Sequence, residues 1–403
     1  MPNIARVTIF IMFVHFSLGA IMPYLPVWLG ETKGLSGVQI GLILASSSFG
    51  RIIVGPLAAA WAEGRKDSRT ALIVFSLATA LGYVSYPFMG AFWPIAFMCF
   101  VVGMFGQCLV ASAEAATLNA TAKSTVWPYG RARALASAGF AIASLGAGAV
   151  VQAFGVTAVY LWFLVATFGT FFCALSLNRE PIAAHVTTPL LDRLRGGFRL
   201  FGKPTFLICL IAAGLIQSAH AFYYGFSSTL WLAQGFTGTQ IGLLWATGVA
   251  VEVVFLAFVV SRITRVRPEI MILIGGLGSA LRWSAMSFGF GLGASFLIQI
   301  LHALTFAATH IGLMRLLEHE IGSDQRATGQ QLSSSLIMSP LMGFASIGAG
   351  WLFDHYQGGG YWSSFGLAVA GCMLVGAVLL IYKRRRLMVQ RGTAALAAQS
   401  RSS

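Results

Sequence analysis

Long apolar runs dominate the chain and constrain its fold more than any other feature. Segments such as 204–232 and 362–382 continue without a single Asp, Glu, Lys or Arg, and about 20 such residues cross the hydrocarbon core of a bilayer as one helix. Twelve segments fit this pattern, near 6–29, 40–61, 70–90, 93–116, 131–154, 156–177, 204–232, 241–261, 270–288, 295–317, 332–353 and 362–382. Charge agrees with hydropathy. Only 9% of the 403 residues are charged, against about 25% in soluble domains, too few to clothe a soluble surface. An ordinary cytosolic enzyme, a disordered protein and a nucleic-acid binder are thereby excluded, despite a net charge of +14. The chain reads as an all-α integral membrane protein with twelve transmembrane helices.

The first run carries Pro23 and Pro26 where a secretory leader would have a small-residue cleavage site, so it reads as the first span. The five cysteines (Cys99, Cys108, Cys173, Cys209 and Cys372) all lie in apolar runs without CxxC or Cys/His spacing. They read as buried small side chains.

Basic residues decide orientation. Arg65, Lys66 and Arg69 follow span 2; Lys123 and Arg131 follow span 4; Arg179, Arg193, Arg195, Arg199 and Lys203 follow span 6; Arg262, Arg265 and Arg267 follow span 8; Arg326 follows span 10; Lys383 to Arg386 follow span 12. The opposite loops hold Lys33 alone. Both termini are expected in the cytoplasm, with the chain in a plasma membrane of the bacterial inner-membrane kind. The expected domains are a bundle over 1–177, a linker over 178–203, a second bundle over 204–382 and a basic tail over 383–403. In the linker, Leu190, Leu191, Leu194, Phe198 and Phe201 alternate with arginines, which suits an amphipathic helix on the inner leaflet; an unstructured basic linker is the alternative.

The halves repeat each other. Gly37-Val-Gln-Ile-Gly-Leu-Ile-Leu-Ala45 in span 2 matches Gly238-Thr-Gln-Ile-Gly-Leu-Leu-Trp-Ala246 in span 8, and Ala143-Ser-Leu-Gly-Ala-Gly148 in span 5 matches Ala345-Ser-Ile-Gly-Ala-Gly350 in span 11. Six spans per half preserve the orientation of the repeat. This is the parallel repeat of transporters whose substrate site lies between halves near the membrane midplane. The small residues suit close helix packing.

Charges inside a span cost about 2.5–3.5 kcal/mol on insertion scales and tend to be functional. Of the 12 acids, Glu114 (span 4) and Glu252 (span 8) lie within spans, as do Arg51, Arg133, Arg282 and Arg315 and the histidines His15, His220, His302 and His310. At ~1.5 Å per residue, Glu252, His302, Arg282 and His220 lie about 17, 11, 9 and 18 Å from the outer ends of their spans, so one polar cluster could gather them. Glu114 and Arg133 both lie about 30 Å from the outer ends and form a second pair. Structural roles compete: interfacial snorkelling for Arg133 and Arg315, helix packing for His15 and His310, and interfacial anchoring for Tyr24, Trp28 and Trp231.

The segments Gln217-Ser-Ala-His-Ala-Phe-Tyr-Tyr-Gly-Phe-Ser227, Gly242-Leu-Leu-Trp-Ala-Thr-Gly-Val-Ala-Val-Glu252, Leu281-Arg-Trp283 and Leu301-His-Ala-Leu-Thr-Phe306, with His310, carry a resemblance. Through them the chain resembles the 3-phenylpropionate permease branch of the major facilitator superfamily. More distantly it is similar to the oligosaccharide–proton symporters, lactose permease among them. The resemblance implies a major facilitator fold and substrate contact by Arg133 of Tyr129-Gly-Arg-Ala-Arg133 paired with Glu114. It also implies a proton-coupling cluster of Glu252, Arg282 and His302. Two departures stand out. The symporters carry their proton-bearing acid three positions after the span 10 histidine, where this chain has Thr305. After Gly55-Pro-Leu-Ala58 comes Ala59, where the superfamily usually has an acid; Glu63 or Asp67 is the nearest substitute.

The expected function is proton-coupled symport of a small organic substrate by alternating access, an aromatic carboxylate such as 3-phenylpropionate being implied by the resemblance. An oligosaccharide, nucleoside or hydrophobic drug is the alternative cargo. Glu252, His302 and Arg282 are the expected coupling residues. Glu114, Arg133, His220, Tyr223, Tyr224, Gln217, Arg51 and His310 are the expected substrate contacts. Buried in apolar surroundings beside a cation, Glu252 is pulled both ways and can change protonation as the cavity changes sides. The expected partners are substrate, protons and lipid, the chain working as a monomer. No HExxH, Ser/His pair or ATP-binding Gly-rich loop is found, so neither an enzyme nor a cofactor is expected.

Overall fold

The computed structural model describes residues 3–63, 67–122, 124–179, 201–260, 262–263, 265–320 and 326–402. The proposed linker amphipathic helix falls outside them. The first half contributes α1 (Asn3–Lys33), α2 (Gly37–Glu63), α3 (Ser68–Ser85), α4 (Phe92–Thr121), α5 (Tyr129–Phe154) and α6 (Val159–Leu175). The second contributes α7 in two pieces (Pro204–Ser218 and Ala221–Ala233), α8 (Gly238–Val254, continued by a π-helical turn Phe255–Val259) and α9 (Pro268–Ser287). It continues with α10 (Leu292–Ile300, a π-helical stretch Ala303–Ala308, then Thr309–Glu320), α11 (Arg326–Ser333, a π-helical turn Ser334–Met338, then Ser339–Tyr356) and α12 (Tyr361–Ser402). Among the described residues, ten apolar stretches are long enough to cross a membrane; the last, Ser334–Arg384, runs through α11 and α12, and α2 adds a shorter one, Gly37–Gly50. The described helices are thus consistent with the twelve spans read from hydropathy.

Local chemistry places the ends. Asp67 accepts from the Thr70 amide at 2.9 Å and starts α3, so its carboxylate is committed to a cap. Thr237 and Gln240 form a reciprocal capping box at the start of α8. The helix α12 overruns the apolar segment because 387–402 is rich in Ala, Leu, Gln and Arg, all strong helix formers.

The repeated motifs meet crosswise. The motif of α2 packs on that of α11, and the motif of α8 packs on that of α5. A methyl group on Gly350 would stand 2.2 Å from the Gly37 carbonyl oxygen, and one on Gly148 would stand 2.2 Å from that of Gly238. Only glycine allows the backbones this close. Each contact also carries a cap across the interface. Asp354 of α11 accepts from the Gly37 and Val38 amides at 2.6 and 2.9 Å. Its repeat equivalent, Gln152 of α5, accepts from Thr239 at 3.3 Å. Tyr24 donates to the Gly238 carbonyl at 2.8 Å. Tyr24, Trp28 and Trp231 are all buried, Trp28 against Tyr160 and Trp231 against Tyr223. They are packing residues of the core, drawn inward because adjoining helices supply aromatic faces. These contacts close the end of the bundle that carries the short loops 34–36, 155 and 234–237.

Candidate functional site

Below the closed end lies a cavity of about 580 Å³, within the 300–1,000 Å³ range usual for small-molecule sites. Both halves line it: Ser17, Gln107 and Thr170 from one side, Gln217, Tyr224 and His310 from the other. Three expected substrate contacts, Gln217, Tyr224 and His310, are therefore on its wall. Arg51 lies on α2, and its side chain is outside the described part of the structure.

The acid–base residues gather in two clusters beside the cavity. In the first half, Arg133 lies 3.0 Å from Glu114, and the Tyr129 hydroxyl donates to the same carboxylate at 2.6 Å. Arg133 also contacts His15 Nε2, while His15 Nδ1 donates to the Ile11 carbonyl at 3.0 Å. His15 thus belongs to the cluster rather than to general helix packing. Arg315, by contrast, donates to the Ile263 carbonyl at 2.9 Å and closes the end of α8.

In the second half Arg282 is fully buried. It donates to Gln299 Oε1 at 2.6 Å, to His302 Nδ1 at 2.9 Å and to Thr305 Oγ1 at 3.1 Å. Its guanidinium carbon stands 4.7 Å from the Tyr223 ring and 4.6 Å from that of Trp283. No carboxylate among the described residues lies in salt-bridge range of it. Glu252 sits instead 3.8 Å from His302 Nε2. His220 joins the cluster at Thr305, 3.1 Å away, and through its Nδ1 donates to the Gln217 carbonyl at 3.0 Å.

The irregular backbone places these groups. The π-helical stretch after His302 brings His302, Phe306 and His310 into a stack, with ring centroids 5.5 and 6.1 Å apart. The stack runs from the buried cluster to the cavity wall. Such π-helical turns occur often at functional sites. The break in α7 frees the Gln217 carbonyl for His220, and the Gln217 side chain donates to the Phe306 carbonyl at 3.3 Å.

The two clusters are closer in level than counts from the helix ends imply. From the Gly148–Gly238 contact, Arg133 on α5 and Glu252 on α8 each lie about 14–15 residues away, roughly 22 Å. α5 extends past that contact to Phe154, so counting from its end exaggerates the depth of Arg133. Residues absent from the sequence reading are Gln299, Thr305 as an Arg282 ligand, Tyr129 as a Glu114 donor and the hydroxyl-bearing lining around Ser17 and Thr170. Uncharged polar residues within a span carry no depth or facing signal that would have marked them.

Residues 4–364 match the MFS_1 like family. The chain is 29% identical over 364 residues to the probable 3-phenylpropionic acid transporter of Escherichia coli (strain K12), covering 86% of this chain and 90% of the relative. It is 24% identical over 388 residues to the maltose permease of Geobacillus stearothermophilus, covering 95% of each. Among solved structures, the nucleoside transporter NupG superposes with a TM-score of 0.78 at 15% identity, over 95% of this chain and 100% of that chain. The POT family transporter PepTSo does so with a TM-score of 0.69 at 10% identity, over 96% and 99%. These structural likenesses establish a common fold.

Proposed function

The chain belongs to the MFS_1 like family and is a multi-pass membrane transporter of the major facilitator type, not an enzyme; on that premise we propose that it is a proton-coupled symporter of a small aromatic carboxylate such as 3-phenylpropionate. The observation that carries this reading is Glu252, an acid within a span and 3.8 Å from His302, beside a cavity that both halves line. The name of the E. coli relative supports the substrate. Two bundles, 1–177 and 204–382, rock about the cavity as a monomer, and both termini face the cytoplasm of a bacterial inner membrane. In that orientation the closed glycine contacts lie on the outer side.

A carboxylate substrate needs a cation, and Arg133 is the candidate nearest the open bundle. Its side chain is 30% exposed, whereas Arg282 is fully enclosed. Arg133 exchanges Glu114 for the substrate carboxylate, an arrangement in which the guanidinium can bind bidentately. Tyr224 and Phe306 offer rings to the aryl group, and His310, Gln217 and His220 border them. Protonation of Glu252 lets the loaded carrier cross, and deprotonation on the far side resets it. Uptake should therefore rise as the outer pH falls below the inner. In proteoliposomes, Glu252→Gln is expected to abolish pH-driven uptake of labelled 3-phenylpropionate while counterflow persists. Uptake that still follows the imposed gradient in this variant sinks the assignment.

Cargo with hydroxyl groups is a second reading, favoured by the Glu114–Arg133 pair, which suits hydroxyls as well as carboxylates, and by the maltose permease relative. Inhibition of uptake by sugars or nucleosides but not by arylpropionates would establish it in place of the first.

A further inference from the structure

We infer that Gln299 and Thr305 are positioning residues that hold Arg282 in place of a carboxylate, and that Arg282 so held keeps His302 a neutral ring with its hydrogen on Nε2. The consequence for transport, that Glu252 alone in this cluster loads the proton, rests on the symport reading; the assignment of the ring does not.

The reasoning begins with what a guanidinium can do. Arginine has five N–H donors and no acceptor. The Gln299 atom 2.6 Å from it must be the amide oxygen, an assignment that the Tyr223 hydroxyl at 3.2 Å shares. The His302 Nδ1 at 2.9 Å must be a lone-pair nitrogen. A hydrogen there would set N–H against N–H inside a fully buried site. The ring hydrogen is therefore on Nε2, which faces Glu252 at 3.8 Å. Doubly protonated His302 would also place a second cation against Arg282 with no anion on the guanidinium.

Thr305 completes the arrangement. Its oxygen accepts from Arg282 at 3.1 Å, and its hydrogen has two acceptors, His220 Nε2 at 3.1 Å and the His302 carbonyl at 3.3 Å. The cation is thus ligated by neutral oxygens, those of Gln299 and Thr305. Such a charge is costly to bury, and the Tyr223 and Trp283 faces offset part of the cost. The other groups around the pair come from the neighbouring helices: His220, Tyr223 and Tyr224 of α7, Glu252 of α8, and Tyr361 of α12 stacked on Trp283.

The test is ¹⁵N NMR of the full-length protein, histidine-labelled and in nanodiscs, with His302→Asn to identify the signals. Between about pH 5 and 8, where a free imidazole changes charge, His302 is expected to show one N–H and one lone-pair nitrogen throughout. Gln299→Glu gives Arg282 an anion, and Gln299→Met removes the acceptor while keeping the shape. Each is expected to abolish the lone-pair Nδ1 signal at the acid end. Thr305→Val should act in the same direction, and Thr305→Ser should restore the wild-type pattern. Two N–H signals from wild-type His302 in this range overturn the inference, as does an unchanged His302 in both folded Gln299 variants. If His302 behaves as stated but wild-type uptake ignores the pH gradient, the symport reading falls and the positioning role stands. If uptake follows the gradient but His302 is doubly protonated, the positioning role falls alone.

Discussion

At the scale of single residues, solvent exposure limits what an ion pair contributes to stability. The Glu114–Arg133 pair is close at 3.0 Å, yet each side chain is near 30% exposed, and ion pairs with that much solvent contribute about 0–1 kcal/mol. Arg133→Gln should therefore leave thermal unfolding nearly unchanged while raising KM for 3-phenylpropionate about tenfold, equivalent to ~1.4 kcal/mol of binding. A fall in stability with unchanged KM would reassign the pair to structure. The presence of this pair within the spans was legible from sequence, because any charge in an apolar run stands out. The ligands of Arg282 were not. Gln299 and Thr305 are neutral, and a glutamine in a span gives no sign of facing a guanidinium. Tertiary contact alone identifies them.

At the scale of elements, hydropathy located the spans to within about six residues, the far end of α12 excepted, since length and apolarity are summed over a whole helix. It did not locate the break in α7 or the π-helical turns of α8, α10 and α11. No proline or glycine marks Ser218-Ala-His220, and the interruption is stabilised by bonds to another helix, from His220 to Thr305 and from Gln217 to the Phe306 carbonyl. Helix starts were better encoded. The Thr237–Gln240 box is local, and Thr237→Ala should cost about 0.5–2 kcal/mol, read as a lowered unfolding midpoint of the protein in detergent with Gln240 untouched. The facing of each helix about its axis was the least legible property, because a helix apolar on all sides does not reveal which stripe meets the cavity. Ser17 and Thr170, bonded to each other at 2.8 Å on the cavity wall, lay in runs with no distinguishing pattern.

At the scale of the whole molecule, the crosswise meeting of the repeats defines the closed state. A valine at Gly148 would drive its Cβ against the Gly238 carbonyl. Overpacking of this kind costs about 1–3 kcal/mol, and the cost falls only on the form in which α5 and α8 touch. Gly148→Val should therefore shift molecules toward the opposite opening. In a variant retaining Cys99 as its sole cysteine, on the cavity wall, labelling by an impermeant maleimide from the short-loop side should rise about tenfold, following the size of that penalty. Labelling that stays constant would show that the contact does not gate access. The repeat itself was visible in sequence, but its pairing was not: similarity between segments 201 or 202 positions apart does not say which of them touch. The observed pairing has a consequence for origins. Each half contributes one Gly-x-Gln-Ile-Gly segment and one Ala-Ser-x-Gly-Ala-Gly segment, and each binds the unlike segment of the other half. A half-length forebear carrying both would form two copies of one contact about a two-fold axis, an isologous dimer. Within one chain the two contacts need not be identical: the cap from Asp354 is charged and the one from Gln152 is neutral.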